Sequence, residues 1–140
     1  MCIRDSLLEQ VSGQNLQVDG TYPVELFPDI LDHLRSAQHN EYQEWDHDYA
    51  GFSRTAQEEG FPEIAHIFSM IAGIEKTHGD RFGKFAELLE QDKLFVSDVQ
   101  VKWMCLNCGQ IIDATMAPAV CPVCKHPQGY FIRWEMAPFE

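Results

Sequence analysis

Four of the five cysteines stand as two Cys-x-x-Cys pairs, Cys105/Cys108 and Cys121/Cys124, with twelve residues between the pairs. Each pair can present two sulfurs on one tight knuckle, and two facing knuckles make a tetrahedral tetrathiolate metal site. An odd cysteine count with two-residue spacings points to metal binding rather than a disulfide framework. Spacing alone leaves iron and zinc equally open. Cys2 stands apart from both pairs and is read as incidental. A second group of possible ligands lies upstream: Glu41, Glu44, and the Glu-x-x-His step Glu75-Lys76-Thr77-His78. Carboxylates with one imidazole suit iron or manganese, which take mixed oxygen and nitrogen ligands.

The elements that must carry these groups can be read from periodicity and punctuation. From about Pro28 to Gln91 the pattern is helical, interrupted at Glu58-Glu59-Gly60-Phe61-Pro62-Glu63. Gly60 suits the left-handed position that ends one helix, and Pro62 suits the first turn of the next. Two antiparallel helices of roughly 30 residues, each about 45 Å long, are therefore expected. The second shows an alternating four- and three-residue series, Ile64, Phe68, Ile71, Glu75, His78, Phe82, Phe85 and Leu89, the inward seam of a bundle helix. The first has a rougher seam through Ile30, Leu34, Ala37, Glu41, Glu44/Trp45, Asp48 and Phe52. Glu44 lies 16 residues before Gly60 and Glu75 15 after it, while Glu41 lies 19 before and His78 18 after. A hairpin thus sets Glu44 level with Glu75 and Glu41 level with His78, roughly 25 Å from the turn. An unpartnered carboxylate on an inward seam costs several kcal/mol, and a shared metal removes that cost. The bland alternative is a seam that bends away and leaves these groups solvated, or groups that simply pair with each other.

Composition bounds what surrounds these groups. The chain has 140 residues, 45% of them apolar and 11% aromatic, which fits one domain or two small ones with a packed core. A net charge of −12 with no Lys/Arg cluster speaks against nucleic acid as a partner. No apolar run is long enough for a membrane helix, and no secretory leader is visible, so the cytoplasm is the expected location. The domain expectation is an irregular segment 1–27, a helical hairpin 28–92, and a small metal-held domain 99–140 after a polar connection. The opening Met1-Cys2-Ile3-Arg4-Asp5-Ser6 fits nothing that follows and is read as non-native, as following a truncation, or as an ordinary loose terminus. About 40 residues bury too little apolar surface to be stable alone, so the tetrathiolate metal is expected to hold the third part together. Trp103, Tyr130 and Phe131 can shield that metal from water or serve as ordinary core.

From Leu34 to Phe131 the chain resembles the C-terminal half of the rubrerythrin family. The resemblance rests on Asn40-Glu41-Tyr42-Gln43-Glu44-Trp45, on Phe52 to Ala65 with its Glu-Glu-Gly turn, on Ile74-Glu75-Lys76-Thr77-His78 with Arg81-Phe82, and on Cys121-Pro122-Val123-Cys124-Lys125-His126-Pro127-Gln128. It implies half of a ferritin-like four-helix bundle with a non-haem di-iron site, followed by a rubredoxin-like domain holding a mononuclear Fe(Cys)₄ centre. The activity implied is reduction of hydrogen peroxide to water, with electrons arriving from a reductase through Cys105, Cys108, Cys121 and Cys124 and their iron. Carried over by position, Glu41, Glu75 and His78 are metal ligands, with Glu75 bridging. Glu44 is the carboxylate that responds to the iron redox state, and Tyr49 a tyrosine beside the site.

The chain departs from the family pattern in lacking the first helical pair, with its own Glu and Glu-x-x-His. Gly79 and Asp46-His47-Asp48 also depart from it. Two readings follow: pairing of two hairpins in a homodimer would restore two lone Glu and two Glu-x-x-His motifs, or the chain is a piece of a longer protein whose missing segment shares the site or leaves it empty. Competing readings are an electron-transfer protein with an incomplete di-iron site, a zinc-ribbon interaction module, and iron handling at the helical ligands. His33, His39, His47 and His66 follow no ligand spacing and are read as surface or satisfied groups, His126 as packing its loop, and Trp45 as core.

Overall fold

The computed structural model describes residues 24–137, together with 13, 15, 17 and 19–21. Most of the segment expected to be irregular, and Cys2 with it, lies outside the described residues. Two compact units follow one another, Met1–Gly83 and Lys84–Glu140. Among the described residues no helix is long and apolar enough to cross a membrane.

The first unit is a helical hairpin. Helix α1 (Ile30–Gln43) opens on Asp29, whose side chain accepts a hydrogen bond from the Leu31 amide at 2.7 Å, satisfying one of the free N-terminal donors. A π turn follows over Glu44–Asp48, closed by the Tyr49 amide donating to the Glu44 carbonyl, and α2 (Tyr49–Glu58) continues the arm. The expected uninterrupted helix thus contains one wide turn, which inserts a residue and rotates the faces on either side of it. The hinge forms as Gly60 and Pro62 require. Gly60 has φ +85°. Its amide donates to the Gln57 carbonyl at 3.2 Å, and the Phe61 amide donates to the Ala56 carbonyl at 2.8 Å. These two bonds are the paired closure of a Schellman turn. Pro62 then begins α3 (Pro62–Glu90), 29 residues long.

The arms meet through small residues near the turn and through rings and charged groups beyond it. Ser53 Oγ donates to the Ala65 carbonyl at 2.8 Å, the Tyr49 and Phe68 rings lie 6.0 Å apart, and further along Glu41 faces His78. Ala65, Ala72 and Gly79, spaced one heptad apart on α3, are buried. The larger seam residues Ile64, Phe68 and Phe82 are only half-buried, and α1 has no buried residue. Trp45, expected in the core, is instead 36% exposed. Glu44 takes the more sheltered position of that pair.

The second unit is a three-stranded antiparallel sheet in the order β2-β1-β3, with β1 Val96–Cys105, β2 Ile111–Met116 and β3 Phe131–Arg133. Strand β1 therefore begins within the stretch read as a connection. Trp103 pairs with Ile112 on one side and Arg133 on the other, and Cys105 pairs with Phe131. A register shift between Val96 and Val101 marks a bulge in β1. The core consists of Trp103, Cys105, Ala117, Cys121 and Phe131. Trp103 is fully buried, donates from Nε1 to the Ala114 carbonyl at 3.1 Å, and lies under the Arg133 guanidinium. Tyr130 is not part of this core: it is 41% exposed, with its ring against His126 at 4.4 Å.

Candidate metal centres

The tetrathiolate is assembled from two knuckles of the same construction. In the first, the Cys105 amide donates to the Gln110 carbonyl at 2.9 Å and the Gly109 amide to the Cys105 carbonyl at 2.8 Å. In the second, the Cys121 amide donates to the His126 carbonyl at 2.8 Å and the Lys125 amide to the Cys121 carbonyl at 3.0 Å. Both need a left-handed residue after the second cysteine, supplied by Gly109 at φ +76° and by Lys125 at φ +62°. Across the site Cys105 Sγ lies 3.6 Å from Cys124 Sγ and Cys108 Sγ 3.7 Å from Cys121 Sγ, and all four sulfurs lie within 4.8 Å of one another.

The electrostatics of this group call for a cation. The Cys124 thiol is drawn down to about 5, first by the His126 amide and then by donation from Cys108, Asn107 and Cys121. Cys108 receives a hydrogen bond from the Gln110 amide that pulls it down. Burial and the sulfurs of Cys124, Cys121 and Cys105 outweigh that bond and push it up to about 12. One sulfur takes the charge while a neighbour keeps its proton, because adjacent thiolates repel. A bound cation lets all four ionise, and the soft donor set suits iron or zinc.

The helical group is built from both arms. His78 Nδ1 lies 2.7 Å from Glu75 Oε2, one turn back on α3, and 3.5 Å from Glu41 Oε2 on α1. One ligand atom from each of Glu41, Glu75 and His78 falls within 4.8 Å of the others. Ligand bonds of about 2.0–2.2 Å to one ion allow such separations, so the three side chains fit a common metal. The Glu41 carboxyl is held above its ordinary range, first by burial and next by its hydrogen bond and charge contact with Glu75. Side-chain exposure is 14% for Glu75, 22% for Glu41 and 42% for His78, so the group opens on its histidine side.

Glu44 and Tyr49 flank this group rather than joining it. Glu44, at the start of the π turn, is raised first by burial and then by Glu75 and Asp48. Tyr49 is raised first by burial, then by Glu44, Glu75, Asp48 and Glu41, and so keeps its phenolic proton at neutral pH. The π turn places Glu44 where it senses the charges of Glu75 and His78 without entering their contact group. Such wide turns recur at functional sites.

The rubrerythrin family profile matches residues 6–100, and the profile of the rubrerythrin rubredoxin-like domain matches residues 103–132. The chain belongs to the rubrerythrin family. It is 43% identical over 125 residues to a rubrerythrin of Clostridium perfringens, covering 89% of this chain and 64% of that one. A rubrerythrin of Porphyromonas gingivalis is 36% identical over 121 residues, covering 86% and 60%. The chain thus spans somewhat less than two thirds of these rubrerythrins. The solved structure of nigerythrin in a partially reduced state shares the fold at a TM-score of 0.52 and 22% identity, covering 94% of this chain and 61% of that one.

Reading the sequence alone missed two features of the helical centre. The π turn at Glu44–Asp48 leaves no mark in residue type. The contact of Tyr42 with Gly79 did leave one, a glycine in the interior of a long helix opposite an aromatic residue.

Proposed function

We propose that this chain is a rubrerythrin-type peroxidase, reducing hydrogen peroxide to water at a non-haem di-iron site with electrons passed through a rubredoxin-like Fe(Cys)₄ centre. The convergence of Glu41, Glu75 and His78 on one point carries this reading. Family membership and the second, tetrathiolate group on the same chain support it. Peroxide, two protons and two electrons give two waters. When bound at the helical centre, iron would supply electron exchange and Lewis acidity toward the peroxide oxygens. Glu75, Glu41 and His78, which stand in one contact group, would hold that iron. Glu44, close by on the π turn, can approach or withdraw to balance charge. Tyr49 retains an O–H donor beside these carboxylates. Cys105, Cys108, Cys121 and Cys124 would hold the iron through which electrons from a reductase enter, and a reducing compartment would keep their thiolates available.

One hairpin supplies one lone Glu and one Glu-x-x-His, half of the ligand set of a carboxylate-bridged di-metal bundle. A second copy of the chain, related by a two-fold axis, would supply the same set again. The half-covered seam of Ile64, Phe68 and Phe82 supports this pairing, because a two-helix layer leaves one side of each helix without a partner.

The test is Glu75→Ala in the iron-loaded chain. Peroxide-dependent oxidation is expected to fall to background while the Fe(Cys)₄ absorption persists; unchanged turnover contradicts the assignment. A second reading, electron transfer through the tetrathiolate alone, is favoured by the single histidine in the helical group. It predicts full redox activity at the thiolate iron with no peroxide-dependent oxidation in the parent chain. Zinc in the four-Cys site with no redox activity would favour an interaction module instead.

A further inference from the structure

Gly79 follows His78 in the middle of α3, where alanine is the better helix former. A methyl group at this position would lie 2.5 Å from Cε1 and 2.6 Å from Cδ1 of Tyr42, and 3.4 Å from Cβ of Glu41. The first two separations are shorter than real carbon contacts, and they fall on the body of a ring rather than on a loose chain end. That ring is pinned: Tyr42 Oη donates to Asp80 Oδ1 at 2.8 Å, Lys76 Nζ donates to Asp80 Oδ2 at 2.7 Å, and the Trp45 ring meets Tyr42 edge-on at 5.8 Å. Lys76 also sits 5.3 Å above the Trp45 ring. The contact therefore joins the two arms immediately beside Glu41 and His78, which stand 3.5 Å apart.

We propose that Tyr42 and Gly79 form a fitted contact that sets the spacing of the two arms at the carboxylate–histidine group, making both positioning residues for a metal held by Glu41, Glu75 and His78. The inference rests on the metal-binding reading of that group. A side chain at position 79 must either push the Tyr42 ring off Asp80 or spread the arms where Glu41 faces His78. Gly83 provides a control one turn further on. A methyl group there meets the amide end of Gln38, which accepts from Arg35 at 2.9 Å and reaches Tyr42 Oη at only 3.5 Å, so this flexible chain end can move aside while the shorter bond to Asp80 still holds the ring.

The experiment is titration of the 140-residue chain with Mn²⁺, followed by the EPR signal of the free ion, since this hard ion prefers carboxylate and imidazole to thiolates. Gly79→Ala is expected to weaken Mn²⁺ binding by about tenfold or more, the range for losing a group that orients metal ligands. Gly83→Ala is expected to bind as the parent does. In the Tyr42→Ala background, adding Gly79→Ala is expected to change nothing, because the obstructing ring is gone. If Gly79→Ala alone fails to fold, recovery of the helical circular dichroism and of Mn²⁺ binding in the double variant supports the same conclusion. The proposal is overturned if Gly79→Ala binds as tightly as the parent, if Gly83→Ala loses as much, or if the double variant binds less than Tyr42→Ala. A parent chain that binds no Mn²⁺ overturns the metal reading itself, a distinct result visible before any variant is made.

Discussion

Among the described residues Trp103 is the one large aromatic with no exposed surface, and its indole donates to the Ala114 carbonyl. Trp103→Ala is expected to lower the stability of the small unit by about 3–5 kcal/mol, the usual cost of emptying such a site, read as a lower thermal midpoint at constant metal content. Cys121 is equally buried, and Cys121→Ser is expected to abolish metal at the tetrathiolate and cooperative unfolding of that unit together. Retention of both would contradict a metal-held core. In the hairpin, Glu41 and Glu44 are both raised, each first by burial. Folding therefore strengthens their hold on protons, so their contribution to stability is full below the ordinary carboxylate value and is lost as pH rises through the raised ones. Asp80, held low first by Lys76 and then by Tyr42, stays ionised throughout that window. The metal-free hairpin is expected to show a higher urea midpoint at pH 5 than at pH 7. An equal or lower midpoint at pH 5 would contradict this.

Among the elements, the turn at Gly60 and Pro62 was legible from sequence because glycine and proline act through their own backbones. Gly60→Ala is expected to cost about 1 kcal/mol, the penalty of a side chain in the left-handed region, measured as a shift in the hairpin's denaturation midpoint. Two paired Cys-x-x-Cys steps were legible for the same local reason. The spacing about Gly60 also places Glu41 across from His78, since helical rise is uniform over most of both arms. What sequence did not reveal depended on the choice among nearly equal alternatives. The π turn is a change of hydrogen-bond partner over Glu44–Asp48, and no residue type there demands it. Which of Glu44 and Trp45 points inward follows from the faces that turn rotates. Tyr130 turned outward because Phe131, the next residue, pairs with Cys105 and fills the core.

For the whole molecule, two metal-competent groups of different softness occur on one chain of the rubrerythrin family. The carboxylate–histidine group suits a harder ion such as iron or manganese, and the tetrathiolate a softer one such as iron or zinc. Apart from Ile71 the hairpin buries mainly small side chains and leaves the large seam residues Ile64, Phe68 and Phe82 half-covered, so the bundle proposed here needs a second helical pair. The most direct measurement is the metal content and absorption spectrum of chain purified without oxygen from iron-fed cells, together with its mass in solution. The account predicts a dimer with about two irons per chain, one in each Fe(Cys)₄ centre and one di-iron site shared by two chains. A monomer with about one iron per chain and only the red Fe(Cys)₄ spectrum, or a chain carrying zinc alone, would contradict it.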